Sequence, residues 1–352
     1  MRFQFLKTWV SFSSASFFLA LLVGCGTADS VVGLKTPAAF QVPKKLAGEY
    51  YLQFLAVGDV GTGGEGQKRI AKFMASRAAE VPVSFVLLLG DNFYGTGVTS
   101  KKDDQWGPKF HQMYNQPSLA VPFYASLGNH DHYSNPDAQV AHAKCCSDDR
   151  WFMPARYYTF PRQLGDGITA QFFAIDSYPI HSGRGESAAQ LQWLEEELRK
   201  STAAWKIVFG HHPLQSNGWH GDNPNMIRAL SPLFKKYEVD LFLAGHDHDQ
   251  QLLKPVDGVN YIITGAGAKS RNVRWEENTL YAATNLGFTA FRLSKDELLV
   301  EFINGEDRVD FAHVISHRPV LVEPTLQQPH VEQKRPKKSS KSRAKSRRKR
   351  RH

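Results

Sequence analysis

Apolar residues recur along this chain in two rhythms. Short, nearly unbroken runs at Tyr51–Val57, Ser84–Leu89, Pro122–Leu127, Gln171–Ile175, Trp205–Phe209, Val239–Ala244, Val259–Thr264, Thr289–Leu293 and Leu298–Ile303 have the length of strands. Such continuous runs suit strands buried on both faces. Between them, Glu65–Ala79, Asp104–Tyr114, Ser187–Lys200 and Pro224–Tyr237 return an apolar residue every three or four positions; Leu191, Leu194 and Leu198 form one helical stripe. Alternating strands and helices predict an α/β domain with a largely parallel sheet. The short turns Asp257-Gly258 and Ser294-Lys295-Asp296 predict an antiparallel addition near its end. No internal repeat of fixed period interrupts this pattern.

The periodic part runs over residues 50–318, and its flanks differ in character. Residues 1–25 begin with Arg2 and Lys7, followed by an apolar run from Trp9 to Val23. That run is shorter than the roughly 20 residues needed to cross a bilayer and fits the apolar region of a secretory signal. Leu22-Val23-Gly24-Cys25 resembles a bacterial lipobox, which implies lipidation of Cys25; cleavage after Ala28 and plain secretion is the alternative. The expected location is therefore a membrane-anchored lipoprotein on the periplasmic or outer-membrane face. Residues 26–49 are small, polar and punctuated by proline, as a tether would be.

Charge alters the picture at the other end. The chain of 352 residues carries a formal +9, but twelve basic residues lie between Lys334 and Arg351, so the remainder nets −3. Residues 319–352 are expected to be a disordered basic tail. On an exported protein such a tail would meet anionic envelope polymers such as lipopolysaccharide or phospholipid headgroups rather than nucleic acid. Composition is otherwise ordinary, 42% hydrophobic and 22% charged, which supports a sizeable core. Apart from Cys25 only Cys145 and Cys146 occur, too few for a disulfide framework. Adjacent cysteines pair poorly with each other, so they are expected as thiols.

Five apolar runs stop at a glycine and deliver polar side chains of metal-binding type. These are Val57-Gly58-Asp59-Val60-Gly61, Gly90-Asp91-Asn92-Phe93-Tyr94, Leu127-Gly128-Asn129-His130-Asp131, Val208-Phe209-Gly210-His211-His212 and Ala244-Gly245-His246-Asp247-His248. Ligands of open α/β sheets gather beyond the carboxyl ends of strands, where side chains distant in sequence converge. A single His-x-His says little, because alternating histidines also occur on strand edges. Five such ends in this order say much more.

The order Gly-Asp-x-Gly, Gly-Asp-x-x-Tyr, Gly-Asn-His-Asp, Val-x-x-His, Gly-His-x-His resembles the dinuclear metallophosphoesterases. Tyr94 narrows the resemblance to the purple acid phosphatases of the small, tartrate-resistant type, over roughly residues 52–300. Val60 departs from it, standing where many members have an aromatic residue. The resemblance implies a four-layer α/β/β/α sandwich of two mixed sheets flanked by helices. It implies that Asp59, Asp91, Tyr94 and His248 bind an Fe(III), that Asn129, His211 and His246 bind a second ion, Fe(II), Zn(II) or Mn(II), and that Asp91 bridges the two. Hard anionic oxygens suit a ferric ion, and imidazole with a neutral amide suits the divalent one. The function it implies is acid hydrolysis of phosphate monoesters by in-line attack of a metal-bound hydroxide.

A leaving alkoxide needs a proton. His130 directly follows a ligand and is expected just behind the metal ligands, and His220, in Asn217-Gly218-Trp219-His220, matches a position that reaches the substrate in the family; both are candidates to hold the phosphate or supply the proton. Asn92 and Asp131 are candidates to support the ligands from behind. His212, Asp176 and Asp247 are assigned structural parts, and His111, His132, His142 and His181 surface or loop positions. Loops around Trp106, Trp151 and Trp219 are expected to shape substrate choice. A monomer is expected. Two rival functions stand beside the phosphatase: a Zn- or Mn-dependent phosphodiesterase of the same superfamily, and an anchored polyanion-binding protein acting through its tail.

Overall fold

A computed structural model describes residues 52–146, 148–183 and 187–317 of the chain; the leader with Cys25, the tether and the basic tail lie outside the described residues. The first half runs β1 (Leu52–Val57), α1 (Glu65–Glu80), β2 (Phe85–Leu89), β3 (Phe123–Ser126), α2 (Asn129–His132), α3 (Asp137–Cys145) and β4 (Trp151–Phe152). It continues with β5 (Tyr158–Gln163), β6 (Thr169–Ala174), α4 (Ser177–Ser182), α5 (Ala188–Lys200), β7 (Trp205–Phe209), α6 (Pro224–Lys236) and β8 (Leu241–Ala244). The last strands are β9 (Gln250–Val256), β10 (Val259–Thr264), β11 (Thr279–Ala283), β12 (Gly287–Leu293), β13 (Glu297–Asn304) and β14 (Val309–Ser316).

These strands form two seven-stranded sheets, ordered β14-β13-β12-β1-β2-β3-β4 and β11-β9-β10-β8-β7-β6-β5. Each has a parallel centre and an antiparallel flank. In the first, β1 through β4 pair in parallel and β12, β13 and β14 antiparallel. In the second, β6-β7-β8-β10 are parallel, while β5, β9 and β11 attach antiparallel. The largely parallel sheet expected from the chain is thus half antiparallel, because the late strands return through short turns rather than helices.

Aromatic rings lock the sheets face to face. Phe54 stacks between Phe85 at 5.1 Å and Phe291 at 4.7 Å on its own sheet, and meets Phe172 of the other sheet edge-on at 5.4 Å. All four rings are buried, and truncating one such ring to alanine costs roughly 3–5 kcal/mol. On the outside, α1 covers the first sheet with Ile70, Ala71, Met74, Ala75 and Ala78. On the far face, α5 and α6 bury Leu194, Leu198, Met226, Leu230 and Phe234 against Phe173, Val208 and Phe242. The layers are α/β/β/α.

Two local expectations change. Residues 104–114 make only a wide π-helical turn at Gly107–His111, in which Gln112 N donates to Gly107 O. Pro108 supplies no backbone donor there and Gly107 is a weak helix former; Trp106, Phe110 and Tyr114 are buried nonetheless. Cys145 and Cys146 form a disulfide rather than free thiols. Cys145 ends α3 and Cys146 turns to extended backbone, at φ −108° and ψ 152°, which changes the side-chain direction between them.

Candidate metal centre

Five parallel strands end on one edge of the sandwich. β1, β2 and β3 are neighbours in the first sheet, and β7 and β8 are neighbours in the second. Their ends deliver Asp59, Asp91, Asn129, His211 and His246. Three of these turns are tight: Asp59, Asp91 and His246 have φ of 59°, 51° and 69°. Such left-handed non-glycine backbone is uncommon and gathers at functional sites. Two glycines permit the closeness. A Cβ on Gly90, itself at φ +81°, would come within 2.6 Å of the His211 ring, and one on Gly128 would collide with the Asp91 carboxylate.

The seven predicted ligands meet in two groups. Tyr94 Oη donates to Asp59 Oδ1 at 2.9 Å and lies 3.2 Å from His248 Nε2, which is 3.4 Å from Asp59 Oδ1. In the second group, His211 Nε2 stands 3.1 Å from Asn129 Oδ1 and 3.1 Å from His246 Nδ1. Asp91 lies between: its Oδ1 is 3.6 Å from His211 Nε2, and its charge is felt at Tyr94. Atoms around one ion at about 2.0–2.2 Å lie roughly 2.8–3.6 Å apart at octahedral or tetrahedral angles. All three separations of the first group and the two about His211 Nε2 in the second have that size, and the ligand atoms of Asp59, Asp91 and His211 all fall within 4.8 Å of one another.

Neighbouring groups aim the ligands. His211 Nδ1 donates to Leu89 O at 2.9 Å, so Nε2 presents its lone pair to the centre. His246 N donates to Asp59 Oδ2 at 2.8 Å, and His130 N to Asp91 Oδ1 at 2.9 Å. Burial, then Asp59 and Asp91, push the Tyr94 phenol far above its ordinary pKa. Burial, then His211 and the other imidazoles, hold His246 far below its own. For His211 burial acts downward, but Asp91 and Asp59 outweigh it and the value rises. A bound cation would compete with the protons that the aspartates hold on Tyr94 and His211, favouring the phenolate and the neutral imidazole as ligands.

Asp131 and Asn92 act on the loops rather than on ligand side chains. The buried Asp131 carboxylate accepts from Gly128 N at 2.8 Å and from Asn92 N and Phe93 N at 3.2 Å each, tying the turn after β3 to the turn after β2. Asn92 Nδ2 donates to Ser126 O at 2.7 Å.

The predicted proton donors line the open side. A cavity of ≈ 280 Å³ is bounded by Asp91, Tyr94, Asn129, His246 and His248, by His130 and His220, and by Lys269, Ser270 and Arg271. His130 Nδ1 donates to Gly95 O at 2.6 Å, and its ring lies against Tyr94. His220 stacks on His246 at 4.0 Å, and Asp247 Oδ1 accepts from both its backbone N–H, at 3.0 Å, and its Nδ1, at 2.8 Å. Asp247 therefore does more than shape a turn. Strand alternation does not extend beyond Ala244, and the left-handed His246 redirects the next side chain. Burial acts upward on Asp247, but hydrogen bonds from His220 and Ser216 lower its pKa.

Other residues take quieter places. His212 is buried with Nδ1 on Ser177 Oγ at 2.8 Å, and Asp176 accepts from His132 Nε2 at 2.8 Å. His142 is buried, not superficial, and stacks on Trp106 at 3.5 Å. Trp106 and Trp151 belong to the core; of the three tryptophans expected at the site only Trp219 is exposed, at 76%. The chain itself gave little sign of Lys269 and Arg271, since no apolar run ending in a glycine and a ligand leads into the segment holding them.

Sandwich, strand-end ligands and open cavity together define a metallophosphoesterase. The chain belongs to the calcineurin-like phosphoesterase family, whose profile it matches over residues 52–250, and within it is a purple acid phosphatase-like member. It is 31% identical over 287 residues to purple acid phosphatase 3 of Arabidopsis thaliana, covering 76% of each chain. It is 30% identical over 301 residues to tartrate-resistant acid phosphatase type 5 of Mus musculus, covering 76% of this chain and 91% of that one. In fold it is similar to the purple acid phosphatase PPD1 of yellow lupin, Lupinus luteus, with a TM-score of 0.60 and 18% identity over 75% of this chain and 53% of that one. GAP50, the anchor in the inner membrane complex of Plasmodium, gives a TM-score of 0.69 and 24% identity over 77% and 90%. These relatives imply a dinuclear metal centre.

Proposed function

We propose that this phosphoric monoester hydrolase works with an Fe(III) held by Asp59, Asp91, Tyr94 and His248. A second ion, Fe(II), Zn(II) or Mn(II), is held by Asn129, His211 and His246, with Asp91 shared. The observation that carries this reading is the pair of ligand-atom groups at metal-binding spacing, Asp59, Tyr94 and His248 in one and Asn129 and His246 about His211 in the other, with Asp91 Oδ1 3.6 Å from His211 Nε2. Once bound, such a pair supplies Lewis acidity to water and to the phosphate oxygens.

The chain's own groups do the rest. Tyr94 and the two aspartates leave the site positive against a trivalent and a divalent ion, which favours a phosphate dianion and opposes charge build-up in transfer. His220 keeps its Nδ1 proton on Asp247, so its Nε2 is the atom that can give a proton to the departing alkoxide. His130, with Nδ1 committed to Gly95 O, has Nε2 left, 4.0 Å from Asp91 Oδ2, to hold the phosphate. Export through the leader ending at Cys25, with the basic tail against anionic envelope polymers, completes the reading; fatty-acid labelling lost in Cys25→Ala tests the anchor.

Comparing kcat/KM for glycerol 2-phosphate and bis(p-nitrophenyl) phosphate tests the function. Monoester turnover at acidic pH that exceeds diester turnover and vanishes in Asp91→Ala supports it. Faster diester turnover would replace it with the phosphodiesterase reading.

A further inference from the structure

The loop that brings His220 to the cavity is tied to the second sheet by a chain of buried polar groups. Leu214 O accepts from Asn223 N at 2.8 Å, and Ser216 N donates to Asp222 Oδ1 at 3.0 Å, so residues 214–223 close on themselves and carry His220 between the two ties. Ser216 in this loop, Asp247 after β8 and Gln251 in β9 are all buried.

Donor and acceptor roles leave one arrangement for these groups. Gln251 Oε1 accepts from the backbone N–H of Asn217 at 2.9 Å. Its amide nitrogen therefore turns the other way, donating to Ser216 Oγ at 2.9 Å and Asp249 Oδ1 at 2.8 Å. Ser216 Oγ accepts a second bond, from Gly218 N at 3.0 Å. A hydroxyl has two lone pairs and one proton. With both lone pairs taken, the Ser216 proton goes to Asp247 Oδ2, its hydrogen-bond partner. That oxygen is thereby held, and Asp247 Oδ1 is left to accept from His220 N and His220 Nδ1. Gly218 has no room for a side chain in this packing: a Cβ there would come within 2.5 Å of Asp247 Cγ and Asp249 Oδ2.

The far end of the chain is rigid. Gln251 sits inside β9, paired with Ile263 of β10 on one side and Ala282 of β11 on the other. Side chains on paired strands hold their positions better than side chains on loops. One amide and one hydroxyl thus carry the order of the sheet to an imidazole on a loop.

We infer that Ser216 and Gln251 are positioning residues for His220: they fix the Asp247 carboxylate, and through it keep His220 Nε2 aimed at the departing oxygen of the phosphate ester. Neither residue borders the cavity. The inference rests on the reading of His220 as the proton donor of this phosphatase and adds what orients it. It implies a dependence on the leaving group. Alkyl esters, whose alkoxide must be protonated as it departs, rely on the chain; aryl esters with acidic phenols do not.

The test compares kcat and KM of the metal-loaded, full-length protein for glycerol 2-phosphate and p-nitrophenyl phosphate. Ser216→Ala is expected to lower kcat for glycerol 2-phosphate about tenfold, the size of one hydrogen bond to a charged group. Its kcat for p-nitrophenyl phosphate, both KM values and the metal content should stay within about twofold of wild type. Ser216→Thr keeps the hydroxyl and should restore most of the loss. Gln251→Met leaves the hydroxyl without its amide partner and should show the same bias at smaller size; it carries the comparison if Ser216→Ala fails to fold. In a His220→Ala background, Ser216→Ala should cost nothing further, because residues that act through one group are not additive. Equal losses on both substrates, no loss on either, or a Ser216→Ala effect that persists in full without His220 would overturn the positioning role and leave the phosphatase standing. A wild type that hydrolyses neither ester would end both readings.

Discussion

Replacing Asp131 with asparagine changes one oxygen for an amide nitrogen and tests how the site is held. Asp131 Oδ2 accepts from Gly128 N and Asn92 N, and Oδ1 accepts from Phe93 N at 3.2 Å and Gln139 Nε2 at 2.8 Å. Every one of these partners is a donor. An asparagine amide, whichever way it turns, sets its own N–H groups against two of them. Each buried donor left without an acceptor costs about 1–3 kcal/mol, so Asp131→Asn should lose about 2–6 kcal/mol. That is a large part of the 5–15 kcal/mol typical of a folded domain. The loss is also local, because the same carboxylate sets the spacing between the turns of Asp91 and Tyr94 and the turn of Asn129. Urea unfolding followed by circular dichroism measures the first effect, and competition with a chelator measures metal retention. A variant that unfolds within about 1 kcal/mol of wild type and holds metal as tightly would refute the reasoning.

Further outcomes follow from other contacts. His220→Ala should lower kcat about 10²–10⁴-fold for glycerol 2-phosphate and much less for p-nitrophenyl phosphate, whose leaving group departs without a proton. Asp247→Asn should give a smaller loss with the same leaving-group bias, read from the same two substrates. Away from the centre, burial acts upward on the Asp148 carboxylate, but hydrogen bonds from Arg150 and His111 hold it well below the usual range. It therefore contributes stability that is present above about pH 4 and is lost as pH falls through the depressed folded value. Asp148→Asn should lower Tm at pH 7 and progressively less toward pH 2, measured by thermal melts across that range; equal losses at every pH would contradict the assignment.

The parts legible in the sequence were those encoded locally. Trp205–Phe209 and Val259–Thr264 have the same ends in the sequence pattern and in the fold, since short runs interrupted by a single polar residue, Lys206 and Asn260, still stand out as strands. By contrast, β5 carries Pro161 and Arg162, β9 opens on the buried Gln250 and Gln251, and β14 alternates through Asp310 and His313. Their strand character comes from pairing and position in the sheet, which apolar counting does not register. The glycine-then-ligand grammar exposed the seven candidate ligands because each turn is a local event. The Asp247–His220 contact spans 27 residues, and Asp131 reaches back 39 to Asn92. Neither has a short-range signature, and strand alternation pointed Asp247 the wrong way. The contact of Gln251 with Ser216 is likewise a property of the folded chain alone.

The central claim is that Asp59, Asp91, Tyr94, Asn129, His211, His246 and His248 share two neighbouring ions, one of them ferric. Metal analysis of the purified protein together with its visible spectrum tests this most directly. The account predicts two metal equivalents per chain including iron, and a visible tyrosinate-to-iron band that disappears in Tyr94→Phe. A single equivalent, or a band that survives Tyr94→Phe, would contradict it.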